Sequence, residues 1–98
     1  MTEQEIRESL ENYGILSKWD EDLVRYFVHH EKPKRRFIRE ALANRFTGVM
    51  VEVIEATPRP SFDHLRILSV WLVTYAPSDA WGSREVVTAW LKAREEQA

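Results

Sequence analysis

Val49-Met50-Val51-Glu52-Val53-Ile54-Glu55 is the stretch on which the fold class turns. Its β-branched side chains favour a strand, whereas apolar residues at 49, 50, 53 and 54 with acids at 52 and 55 match the period of a helix. A strand needs a partner, and the other candidate, Ile67-Leu68-Ser69-Val70-Trp71-Leu72-Val73, lies inside a longer apolar run from Phe62 to Tyr75 that suits one helix. Residues 49–55 are therefore read as helix. The fold class follows: all-α, a compact bundle of five to six short helices forming one domain over residues 1–98.

The remaining elements are read outward from this stretch. Thr57-Pro58-Arg59-Pro60 separates it from a helix over 62–75, which Ser61 caps. That helix is apolar on nearly every side, which predicts the central, most buried element. Ala76-Pro77-Ser78-Asp79 ends it, Trp81-Gly82-Ser83 forms a turn, and Ser83 caps a last helix over 84–95 with Val86, Val87, Trp90 and Leu91 inward. The tail, 94–98, is expected to fray. Upstream, Glu31-Lys32 is a connector and Pro33 suits the first turn of a helix over 33–46, with Phe37, Ile38, Ala41, Leu42 and Phe46 as its apolar stripe. Ser17 caps a helix over 18–30 whose inner face carries Trp19, Leu23, Tyr26 or Phe27, and His30, and whose outer face carries Asp20, Glu21, Asp22 and Arg25. Thr2 and Glu5 form a capping box for a first helix over 3–13 that Gly14 stops. Residues 1–16 thus make an acidic N-terminal arm with freedom to move.

Ninety-eight residues allow one core, burying about 60 to 70% of the chain's surface. The absence of cysteine excludes disulfides, thiolate metal sites and a cysteine nucleophile. Met1-Thr2-Glu3-Gln4-Glu5 is no basic-then-apolar leader, and no apolar run is long enough to cross a bilayer, so a cytoplasmic location and no membrane partner are expected.

A net charge of −2 conceals a segregation. Residues 1–31 hold eight acids against three bases, whereas in residues 32–45 six bases, Lys32, Lys34, Arg35, Arg36, Arg39 and Arg45, face Glu40 alone. Four of these bases fall in the first turn of the helix read from Pro33, where free backbone amides already favour an anion. Two answers remain open at this level: the acidic arm supplies the anions, or the node binds a partner. A candidate binding surface is accordingly Lys32, Lys34, Arg35, Arg36, Arg39 and Arg45, with Phe27 and Trp81 as aromatic contributors.

Catalytic groupings fall short. Ser61, Asp63 and His64 lie too close in sequence to converge on one reacting atom. His29 and His30 diverge by about 100° on a helix and no His-x3-His spacing exists, so His30 is read as packed at a helix end and His29 and His64 as solvated. Gly14, Gly48 and Gly82 stand alone, which is no phosphate-cradling loop. The acids of the arm repeat on solvent faces. Trp19, Trp71 and Trp90 are read as core, and Trp81, lying in a turn, as the exception. No catalytic residue, metal or cofactor is expected, and the chain is read as no enzyme.

The stretch from Tyr26 to Asn44, including His30-Glu31-Lys32-Pro33-Lys34-Arg35-Arg36-Phe37-Ile38, resembles a segment of small phage and prophage proteins. In those proteins an aromatic helix end precedes His-Gly-x-Pro-Pro-Gly and then Phe-Leu. Pro77, Trp81-Gly82-Ser83 and Trp90-Leu91 resemble the same proteins' second half, so the likeness spans about residues 23 to 91. Glu31 stands where the family has glycine, and Lys34, Arg35 and Arg36 replace its Pro-Gly-Gly portion. The resemblance implies phage origin and an all-helical fold, and carries no site residues over. The expected function is a non-enzymatic binding protein of phage or prophage origin that binds and modulates a host or defence protein, as an anti-defence inhibitor would, through its charge-segregated surface. The alternative is a binder of a small phosphorylated or nucleotide ligand, with Arg35, Arg36 and Arg39 on phosphates and Phe27 or Trp81 stacking a base. Nucleic acid ranks behind both because the pI is near 5.9. A homo-oligomer is compatible with either.

Overall fold

The stretch over 49–55 is helical. Among the described residues it belongs to the fourth of six helices: α1 (Glu3–Tyr13), α2 (Ser17–His29), α3 (Arg36–Leu42), α4 (Phe46–Glu55), α5 (Phe62–Tyr75) and α6 (Arg84–Gln97). The computed structural model describes residues 2–15, 17–56 and 59–97, without the side chains of 94–97, and shows no strand among them. Thr57 and Pro58 of the expected linker, and Ala98 of the expected frayed tail, lie outside the described residues. The chain is an all-α single domain.

Local chemistry sets four of the helix ends. Thr2 Oγ1 accepts from the Glu5 amide at 3.2 Å, Ser61 Oγ from that of His64 at 3.2 Å and Ser83 Oγ from that of Val86 at 3.2 Å, each satisfying an otherwise orphaned donor. Gly14, with φ 78°, closes α1 in a left-handed turn in which the Ile15 amide reaches Leu10 O at 3.0 Å. α6 continues to Gln97, two residues past the stop read from the sequence.

The expected helix over 33–46 is instead a loop, the seven-residue α3 and the start of α4. Two causes act. Upstream, Asp22 of α2 accepts from the backbone amides of Lys34 (3.4 Å) and Arg35 (3.1 Å), holding this segment on the bundle in a non-helical path. Downstream, Asn44 takes φ 56°, and the Arg45 amide reaches back to Glu40 O at 2.9 Å, a left-handed stop that asparagine tolerates. Phe46 is thereby moved from the expected inner stripe to the start of α4, where it is 77% exposed.

The core is centred on α2 rather than α5. α2 buries Trp19, Asp22, Leu23, Val24, Tyr26 and Phe27, whereas α5 buries Leu68, Trp71 and Leu72 and leaves Phe62, Val70, Val73 and Tyr75 exposed. A helix apolar all round can fill a core or display a second apolar face; α5 does the latter. α1 packs against α2 and α5 with Ile6 and Leu10 at 0% exposure, so the acidic arm is seated in the core.

Buried polar bonds tie these layers together. Trp71 Nε1 donates to Ser9 Oγ (3.0 Å), which donates to Ile6 O (2.8 Å). Tyr26 Oη donates to Ala80 O, and Trp90 Nε1 donates to Tyr26 O at 2.7 Å, fastening the α5–α6 turn and α6 onto α2. Burial pushes the Tyr26 phenol well above its ordinary pKa, which keeps it a donor.

Trp71→Ala removes a fully buried ring and leaves Ser9 Oγ without the indole donor it accepts from. It is expected to lower the unfolding free energy by about 3–5 kcal/mol in urea titration, and a loss under about 1 kcal/mol would overturn this view of the core.

Candidate functional site

The basic residues singled out by the sequence do not form one surface. Arg35 is turned inward: its backbone amide and its Nη1 (3.3 Å) both reach Asp22 Oδ2, and Nη1 also donates to Lys18 O at 3.0 Å. Asp22, assigned to a solvent face by periodicity, is 2% exposed and answers this charge at short range. Arg39 donates to Lys34 O at 2.8 Å and Arg45 pairs with Glu40 at 3.4 Å. Lys32, Lys34 and Arg36 are exposed, and their side chains form no ion pair among the described residues. Lys32 and Lys34 lie ahead of α3, outside the first turn where the sequence placed them.

Three of the eight acids in residues 1–31, Glu3, Glu21 and Glu31, are answered by bases of the same segment. Arg7 pairs with Glu3 (3.4 Å) and Glu21 (3.2 Å), His29 approaches Glu3 at 3.5 Å, and Arg25 pairs with Glu31 at 3.3 Å. Asp22 to Arg35 is the ion pair that crosses from residues 1–31 to the node among the described residues. Arm and node are therefore largely separate electrostatic units.

The aromatic contributors separate as well. Phe27 is 6% exposed and packs edgewise against Trp71 and Tyr26, with ring centroids 5.4 and 5.0 Å away, so it is core and presents no face to a ligand. Both Tyr26 and Phe27 point inward because α2 is covered on two sides. Trp81 is half-buried, and Gly82 beside it donates its amide to Leu42 O at 2.8 Å, which fixes the turn against α3.

His30 is structural, whereas His29 is exposed. His30 follows α2 in a left-handed conformation, φ 54°, its ring stacked on Trp90 at 4.0 Å and its Nδ1 donating to Trp90 O at 2.9 Å. His64, read as solvated, is half-buried with its ring edge-on to Trp19 at 6.2 Å. Among the described residues no three His, Asp or Glu side chains converge to hold a metal ion, and no helix is long and apolar enough to cross a membrane.

Two concavities were not visible in the sequence. The first is an apolar groove of about 390 Å³ between α4 and α5. Phe46, Met50, Phe62 and Val73, all exposed, line it together with Trp81, and its charged lining residues are Arg45 and Arg66. The second, of about 560 Å³, lies where α2, the start of α3 and the α4–α5 connection meet, with Lys18, Arg36, Arg59 and His64 in its lining. The sequence signals were the apolar surplus of α5 and the early placement of Phe46; neither says which way the helices face.

Comparisons with protein-family models, with curated proteins and with solved structures find no match.

Two outcomes test these electrostatics. Arg35→Glu sets a carboxylate against buried Asp22 and is expected to lower stability by about 1–2 kcal/mol, whereas Arg36→Glu leaves the melting temperature nearly unchanged; equal effects in thermal denaturation would refute the assignment. Half-buried Asp20 has its carboxyl pushed above the ordinary value chiefly by burial, partly offset by Arg7. A raised folded-state pKa makes its ionisation oppose folding, so its favourable contribution is present at low pH and lost as pH rises through the folded value. Asp20→Asn is therefore expected to raise the melting temperature at pH 7, with the gain fading below the carboxylate range.

Proposed function

We propose that this chain is a small non-enzymatic binding module that docks a protein partner in the apolar groove between α4 and α5. The observation that carries the reading is the convergence of Phe46, Met50, Phe62 and Val73 on one concavity while each remains exposed. Leaving large apolar side chains in water forgoes about 1.5–3 kcal/mol each, and a contiguous patch of them is the signature of an interface. A groove flanked by two helices fits the apolar face of a third helix. Arg45 and Arg66 at its margin complement acidic residues flanking that face. The partner is thus an amphipathic, acid-flanked helix.

The resemblance over residues 23 to 91 adds the proposal of phage or prophage origin, with a host or defence protein as the partner and inhibition as the outcome. It rests on the helix-end pattern alone. The charge-segregated surface contributes long-range steering through Lys32, Lys34 and Arg36, while the groove supplies the contact area.

Phe62→Asp and Val73→Asp test this directly. Exposed positions of this kind change stability within about 0.5 kcal/mol, so both variants are expected to melt normally yet to lose the protein that co-purifies with the unaltered chain in its native host. Concentration-dependent self-association, abolished by the same variants in sedimentation, would make a second copy the occupant instead. Retained capture by both variants would refute the groove.

A further inference from the structure

The cavity at the junction of α2, α3 and the α4–α5 connection is lined by four cations drawn from three parts of the chain: Lys18 of α2, Arg35 and Arg36 at the start of α3, and Arg59 before α5. Glu52 and Glu55 of α4 share the lining and Asp22 answers Arg35, which leaves a surplus of one positive charge around one concavity. Gathering like charges over an apolar base is unfavourable unless an anion answers them. We infer that this cavity binds a small phosphorylated ligand of mononucleotide size, at a site separate from the apolar groove.

The chemistry of the lining selects the ligand class. A phosphomonoester carries about −1.5 to −2 at neutral pH and offers three strong acceptor oxygens to the cations of the lining, where a single carboxylate offers two. Arg35 is held in place before any ligand arrives, its amide and Nη1 fixed by Asp22 and Lys18 O, so its remaining guanidinium donors are presented at little entropic cost. Lys18 and Arg36 form no ion pair among the described residues and remain available for a phosphate.

The volume, about 560 Å³, lies in the range of small-molecule sites and exceeds what a bare phosphate fills, so the ligand has an organic body. Trp19 and Phe37, each 4% exposed and packed edge to face with centroids 5.1 Å apart, give the cavity a rigid apolar base. Polar groups along the wall suit hydroxyl and amino substituents: Glu52 and Glu55 accept, and the His64 ring carries a buried Nδ1 that has no hydrogen-bond partner among the described residues. A sugar phosphate bearing a base combines these features.

The test is titration of the full chain with AMP, UMP, inorganic phosphate, adenosine and a single-stranded oligonucleotide, followed by calorimetry and amide chemical shifts at low ionic strength. The mononucleotides are expected to bind and to shift the amides of Lys18, Arg36, Arg59 and His64, with inorganic phosphate competing weakly and adenosine failing to bind. Lys18→Ala and Arg36→Ala, at exposed positions, are each expected to weaken AMP at least about tenfold with the melting temperature unchanged, whereas Val73→Asp leaves it unaffected. The inference is overturned if neither mononucleotide binds at millimolar concentration, if adenosine binds as well as AMP, if both cavity variants keep their affinity, or if the oligonucleotide alone binds.

Discussion

A buried carboxylate anchors the middle of this molecule. Asp22 sits at 2% exposure on the most buried helix and receives the backbone amides of Lys34 and Arg35 together with the Arg35 guanidinium. An ionised carboxylate out of water is tolerated only when charged and polar donors replace its hydration, and here the replacement comes from the segment that must cross from α2 to α3. The crossing, the late start of α3 and hence the position of α4 depend on that interaction. It also divides the charge of the chain, by spending Arg35 on the interior and leaving Lys32, Lys34 and Arg36 on the surface.

The helix ends legible in the sequence were those decided by residues within three or four positions of one another. Thr2, Ser61 and Ser83 cap what they were expected to cap, Gly14 stops α1, and the ambiguous 49–55 stretch is helical for the period its acids impose. The single helix read from Pro33 to Phe46 failed for two different reasons. Asn44 as a left-handed stop was a local possibility that an uninterrupted apolar stripe overrode. The bend before α3 was never local, because the group that holds it lies 12 and 13 residues upstream on another helix.

The same distinction governs the candidate site. The basic node was visible as composition, yet which of its members faces inward depends on Asp22, and periodicity had placed Asp22 outside. Phe27 was offered as a ligand contact because one inward position per turn suffices for a surface helix; α2 is covered on two sides, so Tyr26 and Phe27 are both consumed by the core. α5 carries more apolar surface than its neighbours cover. That surplus was legible, but whether it signified depth or an interface depended on how α4 and α5 lie against each other, which no linear pattern encodes.

The two walls of the apolar groove are built to different tolerances. α5 is bolted to the bundle by Trp71, whose ring is fully buried and hydrogen-bonded to Ser9. α4 buries Val53 alone, begins at Arg45 without a side-chain cap, and crosses α3 where Gly48 leaves room for the end of the Glu40 side chain. That carboxylate sits between the two helices, paired with Arg45 at 3.4 Å. The consequence is a cleft with one jaw keyed deeply into the core and the other seated shallowly on α3; a methyl group at position 48 would push the end of Glu40 aside and loosen its pairing with Arg45.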